Sequence, residues 1–361
     1  MNKALFERIV VAGNEWLQRY PWALAVFGFF SGLASFFLVE RNDELAQVLT
    51  LLMLGSWAWL ALENMLKKGV WHWFGIKVPR PVLRFVNQLV HQETLFFVIP
   101  FFVFTTAWNS GQLLFTSLLV AAAAVSIIDP LYYGWLARKR WLYFLFHGVT
   151  LFAMLLTALP IVFNLPTSAS YPWALGIAMV VALPSLARSM PLEWRRQTGS
   201  AVLLVVLTGA VGWWARAWVP PASLWLTEVA ITDRLDDSSR EPDRRLTRID
   251  ESQLRAGLYA YTAIRAPRGL HERIYHVWYH NGKEIDRIAL EITGGREEGY
   301  RAWTHKENFP ESLAGQWNIR VITSAEQLIG VLRFSVSEVP GGKPVARVSE
   351  ASELEPGQRF L

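Results

Sequence analysis

The sequence predicts a membrane bundle of about seven α-helices followed by a small all-β, immunoglobulin-like sandwich. Three observations predict it. Hydrophobic residues make up 52% of the chain and charged residues only 18%, more apolar surface than a soluble chain of this length can hide. The apolar residues come in long blocks before Pro220 and alternate with polar ones after it. Basic residues gather in every second connection between the blocks.

A helix needs roughly 20 apolar residues to cross the hydrocarbon core. Seven stretches approach that: Pro21–Val39, Leu45–Leu66, Thr94–Trp108, Gln112–Tyr133, Trp141–Phe163, Tyr171–Ala187 and Ala201–Val219. Pro100 and Pro184 interrupt the two short blocks and predict kinks or tilts there. Gly32-Leu33-Ala34 has the form of a signal cleavage site, but the apolar run continues through Phe36, Phe37 and Leu38, so the first block reads as a retained crossing. Residues 1–20 read as an amphipathic helix in the membrane interface, with Leu5, Phe6, Ile9, Val10, Trp16 and Leu17 on one face. A second such helix is expected after Pro79 and Pro81, with Val82, Phe85, Val86, Leu89 and Val90 opposite Arg84, Asn87, Gln88 and His91.

Lys3, Arg8 and Arg19 precede the first block. Lys67, Lys68, Lys77, Arg80 and Arg84 follow the second, Arg138, Lys139 and Arg140 the fourth, and Arg188, Arg195 and Arg196 the sixth. The other connections offer only Arg41. The alternation puts the N-terminus in the cytoplasm, and seven crossings put the chain after Pro220 outside. The net charge of +5 is thus a topology signal, and no nucleic-acid partner is expected. The absence of cysteine excludes disulfides, thiolate metal sites and cysteine nucleophiles.

Pro220-Pro221 ends the last helix, and the pattern changes to the period of two that marks strands. Expected strands are Leu224–Ile231, Leu254–Ile264, Arg273–His280, Glu284–Ile292, Tyr300–Lys306, Gln316–Thr323 and Leu328–Ser337. Asn281-Gly282 between the third and fourth is the strongest local hairpin signal. Seven short strands predict a sandwich over residues 222–338. The Asp- and Arg-rich stretch from Asp233 to Glu251 reads as an exposed loop, and residues 339–361 as a disordered tail.

The run Tyr275-His276-Val277-Trp278-Tyr279-His280-Asn281-Gly282, then Arg301-Ala302-Trp303-Thr304-His305-Lys306, Gly315-Gln316-Trp317-Asn318-Ile319-Arg320-Val321 and Phe334-Ser335-Val336, resembles a bacterial module known as domain of unknown function 2914. The helical region in front looks like the membrane portion commonly joined to it. The resemblance implies a bacterial inner-membrane protein with a periplasmic β-domain. It supplies no catalytic residues.

Ionisable groups inside a membrane are expensive, so those present are candidates for function. Glu63, His91, Glu93, Asp129 and His147 all fall at a similar depth, in the cytoplasmic half. Together they predict a polar site: a proton relay, a cation site, or a metal held by His and carboxylate. The alternative is separate, satisfied groups, with Asp129 paired to an arginine of the 138–140 cluster and His147 hydrogen-bonded between helices. In the β-domain His276, Trp278 and His280 share a strand face that would bind a ligand if exposed and form core if not. No cofactor is expected. Binding or sensing of an envelope component by the β-domain is the first functional expectation, a small proton- or cation-coupled transporter the second, and a lipid-acting membrane enzyme the third.

Overall fold

The computed structural model describes residues 47–58, 80–187 and 194–336, apart from five positions in the last range, together with the isolated positions 19, 26, 30, 34 and 60. The expected interfacial helix at 1–20, most of the first two blocks, Glu63 and the tail from 339 lie outside the described residues.

The described helices are α1 (Gln47–Ala58), α2 (Arg80–Thr105), α3 (Gln112–Ile127), a π-helical segment (Pro130–Leu136), α4 (Arg140–Phe163), α5 (Thr167–Ala187) and α6 (Trp194–Trp214). A 3-10 turn, Ala215–Trp218, follows α6. Among the described residues two helices are long and apolar enough to cross a membrane, Leu83–Thr105 and Arg140–Phe163, and α3 with the π-helical segment makes a third if that bent pair is one span.

Two expectations are corrected. The separate amphipathic helix after Pro79 does not form: α2 runs unbroken for 26 residues from Arg80, about 39 Å at the usual rise. Pro81 falls in its first turn, where a missing N–H costs nothing. The block Gln112–Tyr133 is not one helix either. α3 stops at Ile127, and the π-helical segment leaves at 99°. Pro130 causes the stop, because it cannot donate to the carbonyl of Ser126 four residues back.

The β-domain has the seven expected strands, with ends shifted by a few residues: β1 Trp225–Thr232, β2 Leu258–Arg265, β3 His271–His280, β4 Lys283–Thr293, β5 Tyr300–Lys306, β6 Gly315–Thr323 and β7 Leu328–Val336. They form two antiparallel sheets, β1-β2-β5 and β4-β3-β6-β7. Side chains from both sheets fill one core, among them Leu258, Ile264, Ile274, Trp278, Trp317, Ile319 and Phe334, so the domain is a β-sandwich. Asn281 (φ 49°) and Gly282 (φ 82°) both take the positive φ that a tight hairpin turn between β3 and β4 requires.

The Asp- and Arg-rich stretch is not a bare loop. Leu235 bridges to Pro242, and Leu246 and Ile249 are buried in the core. Arg244 pairs with Asp233, Arg245 with Glu228, and Arg301 with Glu241. Leu235 packs against Tyr261 and its neighbours, and Arg240 lies over Trp303. The charges decorate a cover on the outer side of the three-stranded sheet. A short helix, α7 (Glu251–Arg255), takes the residues expected at the start of β2.

The chain divides into two compact units. Residues 105–113, 164–169 and those from 216 onward form one, and the remaining helical residues form the other. Within the first, short connections between helices bond to the sandwich. Gln112 Nε2 donates to the Leu328 carbonyl at 2.7 Å. Gln327 Nε2 donates to the carbonyls of Val219 and Pro220 at 3.0 and 3.3 Å. Glu272 accepts from Thr167 N–H, Thr167 Oγ1 and Ser324 Oγ at 2.6, 2.9 and 3.0 Å. Burial pushes the Glu272 carboxyl above its usual range, opposed by these donors.

Candidate functional site

The site is built in the helical unit around His91. Helix α2 places Gln88, His91 and Thr94 three residues apart along one side. His91 is fully buried and uses both ring nitrogens. Nδ1 lies 2.8 Å from Tyr132 Oη of the π-helical segment, and Nε2 lies 2.9 Å from Nδ1 of His147 on α4. Two expected residues, from helices far apart in sequence, therefore meet directly.

Aromatic rings enclose the pair. Trp57 of α1 lies 4.8 Å from the His147 ring and 5.6 Å edge-on to His91. Its Nε1 donates to Thr94 Oγ1 at 2.9 Å, which fixes the indole. Tyr143, one turn before His147 on α4, stacks on it with an interplanar angle of 19°. Phe146 meets His91 edge-on at 5.2 Å. These rings pack against the pair and shield His91 fully and His147 in part.

One turn below, Gln88 Nε2 donates to the Ser126 carbonyl at 2.9 Å and to Asp129 Oδ1 at 2.8 Å. Ser126 is the residue whose carbonyl Pro130 leaves without a helical donor, and the amide replaces the missing bond. Asp129 is exposed and bonds to this amide rather than to an arginine of the 138–140 cluster. Glu93 is half-buried on α2, two residues past His91 and so roughly 200° around the helix from it. Of the five expected residues, Glu63 lies outside the described residues, and the other four fall into a histidine pair, a carboxylate one turn away and a glutamate on another side of the helix. Among the described residues no three His, Asp or Glu side chains gather as a metal site would need, and the two facing imidazole nitrogens are at hydrogen-bonding distance. The metal reading is not supported there.

Trp57, Thr94, Gln88 and Tyr132 were not expected. Their signal was present for two of them: Gln88 shares the His91 side of α2, and Tyr132 follows the helix-breaking Pro130. Trp57 had none, because tryptophans near block ends also serve as interfacial anchors.

The hydrogen-bond inventory decides what the pair can do. In one arrangement Tyr132 donates to His91 Nδ1, His91 Nε2–H donates to His147 Nδ1, and His147 carries its single proton on Nε2. In the other every bond is reversed. A proton taken up at His147 Nε2 lets His147 pass its Nδ1 proton to His91, which passes its own Nδ1 proton to Tyr132, which releases its former hydroxyl proton. One proton enters and one leaves, and no heavy atom moves far.

Of the two alternatives for the face of His276, Trp278 and His280, the residues take the core one. His276 is fully buried, between Thr262 Oγ1 at 3.1 Å and Thr304 Oγ1 at 3.0 Å, and burial holds it down to about 3. Trp278 is fully buried in the core. His280 stacks on Trp317 at 4.3 Å and contacts the Ala314 carbonyl at 2.7 Å. Alternation along β3 sends these three residues inward, toward the second sheet.

No curated protein and no solved structure matches the chain. Two family models match it: a family of unknown function (DUF5924) over residues 3–260, and a protein of unknown function (DUF2914) over residues 271–336. The order is the one that the resemblance implied. The second match covers β3 to β7, and the first takes in β1 and ends inside β2. With well over half of its length matched, the chain belongs to the DUF5924 family of unknown function and carries a DUF2914 module at its C-terminus.

Proposed function

We propose that this is a multi-pass inner-membrane protein of about seven crossings, cytoplasmic N-terminus and periplasmic β-sandwich, whose helical unit works as a small proton-coupled carrier. One observation carries the carrier reading: the continuous Tyr132–His91–His147 hydrogen-bond chain inside an aromatic cage. Imidazole is the side chain whose charge changes most readily near neutral pH, and both histidines lie on helices long and apolar enough to span. Two features support the topology. Basic residues alternate from connection to connection. The connections at 105–113 and 164–169, which that alternation assigns to the outside, belong to the same compact unit as the sandwich.

The test is proton uptake by proteoliposomes carrying an internal pH dye, driven by a potassium diffusion potential. Wild-type protein acidifies the lumen. His91→Gln and His147→Gln abolish the flux, and Tyr132→Phe lowers it at least tenfold. Flux of equal size in all four proteins, or none in the wild type, removes the carrier reading.

A second reading gives the sandwich a binding role toward an envelope component and rests on its open end. The β6–β7 turn end is occupied by residues 112, 219 and 220, while the Asn281–Gly282 hairpin end carries no such attachment among the described residues. Envelope extracts passed over the immobilised full-length protein test it, with Asn281→Arg as the control. Capture that the substitution leaves unchanged argues against that end. The sandwich is immunoglobulin-like in this reading, with β4 on the β3 edge of the four-stranded sheet.

A further inference from the structure

The pair His91–Tyr132 joins a regular helix to a segment that is set off from α3 by a sharp break. Tyr132 is the third residue of the π-helical segment, which starts at Pro130 and turns 99° away from α3. A sharp break of this kind frees carbonyls at the end of the first helix and leaves the second arm without a continuous ladder to hold its direction. Yet the Tyr132 hydroxyl must stay within hydrogen-bonding distance of one imidazole nitrogen for the relay to be continuous.

We propose that Gln88 is the positioning residue that sets this distance. Its amide nitrogen has two protons, and both are used at the break: one on the Ser126 carbonyl, the last turn of α3, and one on the carboxylate of Asp129, the residue that precedes the π-helical arm. A single side chain thus fastens the end of one helix and the start of the next. It does so from α2, three residues before His91 and on the same side of the helix. Helix α2 consequently grips the broken span twice, one turn apart, at Gln88 with the break and at His91 with Tyr132. With the first grip fixed, the hydroxyl reaches Nδ1 at 2.8 Å. Tyr133, next along the arm, adds a weaker hold by donating to the Arg84 carbonyl of the same helix at 3.2 Å. The π-helical geometry, with Ala137 N–H donating to the Tyr132 carbonyl at 2.8 Å, is the kind of local irregularity that accumulates at functional positions.

The inference rests on the relay reading, and the experiment separates the two. Full-length protein with 15N-labelled histidine is reconstituted in bilayers, and the His91 ring-nitrogen resonances are assigned by their loss in His91→Gln. Tyr132→Phe removes the hydroxyl and shifts the Nδ1 resonance. Gln88→Ala and Gln88→Glu, which remove the donor, shift it by at least half as much. Gln88→Lys keeps a donor for Ser126 and Asp129 and leaves it at the wild-type position. Proton uptake follows the same order: at least a fivefold loss in Gln88→Ala and near-normal rates in Gln88→Lys. A wild-type Nδ1 resonance in Gln88→Ala beside a shifted one in Tyr132→Phe overturns the role of Gln88 and leaves the relay standing. An unshifted resonance in Tyr132→Phe removes the His91–Tyr132 bond, and both readings with it.

Discussion

His276 makes the sandwich acid-sensitive in a window that can be stated in advance. The imidazole is fully buried between two threonine hydroxyls with no carboxylate bonded to it. Burial holds it down to about 3, whereas in an unfolded chain it titrates near 6.5. The unfolded state therefore binds the extra proton first. The contribution of His276 is fully present above pH ~6.5 and is lost as pH falls toward the folded value. The slope is about 1.4 kcal/mol per pH unit, so opening of the sandwich becomes easier by about 2 kcal/mol between pH 6.5 and 5.0. Glu272 opposes this, because its raised carboxyl lets the folded state take up a proton as pH falls. The comparison with His276→Gln removes that contribution, since the amide can bond both hydroxyls but does not titrate. Hydrogen–deuterium exchange of β3 peptides in the full-length protein, corrected for intrinsic rates, reads the difference. Parallel pH profiles for the two proteins would refute the reasoning.

Trp278→Ala removes one of the largest fully buried side chains in the domain and should cost about 3–5 kcal/mol, read as rapid trypsin cleavage between residues 258 and 336. Gly282→Val puts a branched side chain at φ 82° and should cost about 1–2 kcal/mol, seen as faster exchange in β3 and β4 alone. Glu272→Ala strands the Thr167 N–H and two hydroxyls. At about 1–3 kcal/mol for an unsatisfied buried group, exchange at the Thr167 amide should rise about tenfold or more.

The β-domain was legible because its signals are local. Alternation over seven to eleven residues and one Asn-Gly turn define strands within a residue or two, as β3, β4 and β5 illustrate. The cover at 233–246 was missed because its order comes from partners far along the chain: Arg301 reaches Glu241, and Leu246 enters the core. Charge density alone reads as solvent. In the helical region hydropathy located the blocks, but it could not see that α2 begins at Arg80, since polar residues in the first turns lower the average while leaving the helix intact. Depth placed His91 and His147 at one level. It could not say that they face each other, because rotation about a helix axis is set by packing. Pro130 was visible in the sequence inside the fourth block. Its consequence, an orphaned Ser126 carbonyl taken up by Gln88, needed the neighbouring helix.

The two kinds of buried histidine in this chain give the strongest reason to read one of them as functional. His276 and His91 are equally buried, and each has a partner on both ring nitrogens. Satisfaction of hydrogen bonds therefore does not distinguish them. The partners do. Threonine hydroxyls can rotate to serve a neutral imidazole in either tautomer, but they do not take its proton near neutral pH, so His276 is a dead end for charge. His91 faces a second imidazole, and a proton on one can be handed to the other through the bond that already joins them. The surroundings differ too: His276 lies between two threonines, while the pair is ringed by Trp57, Tyr143, Phe146 and Tyr132. A core that needed only to fill space at this position would be better served by leucine. Two titratable rings joined by one hydrogen bond are what the proposed carrier requires at this position.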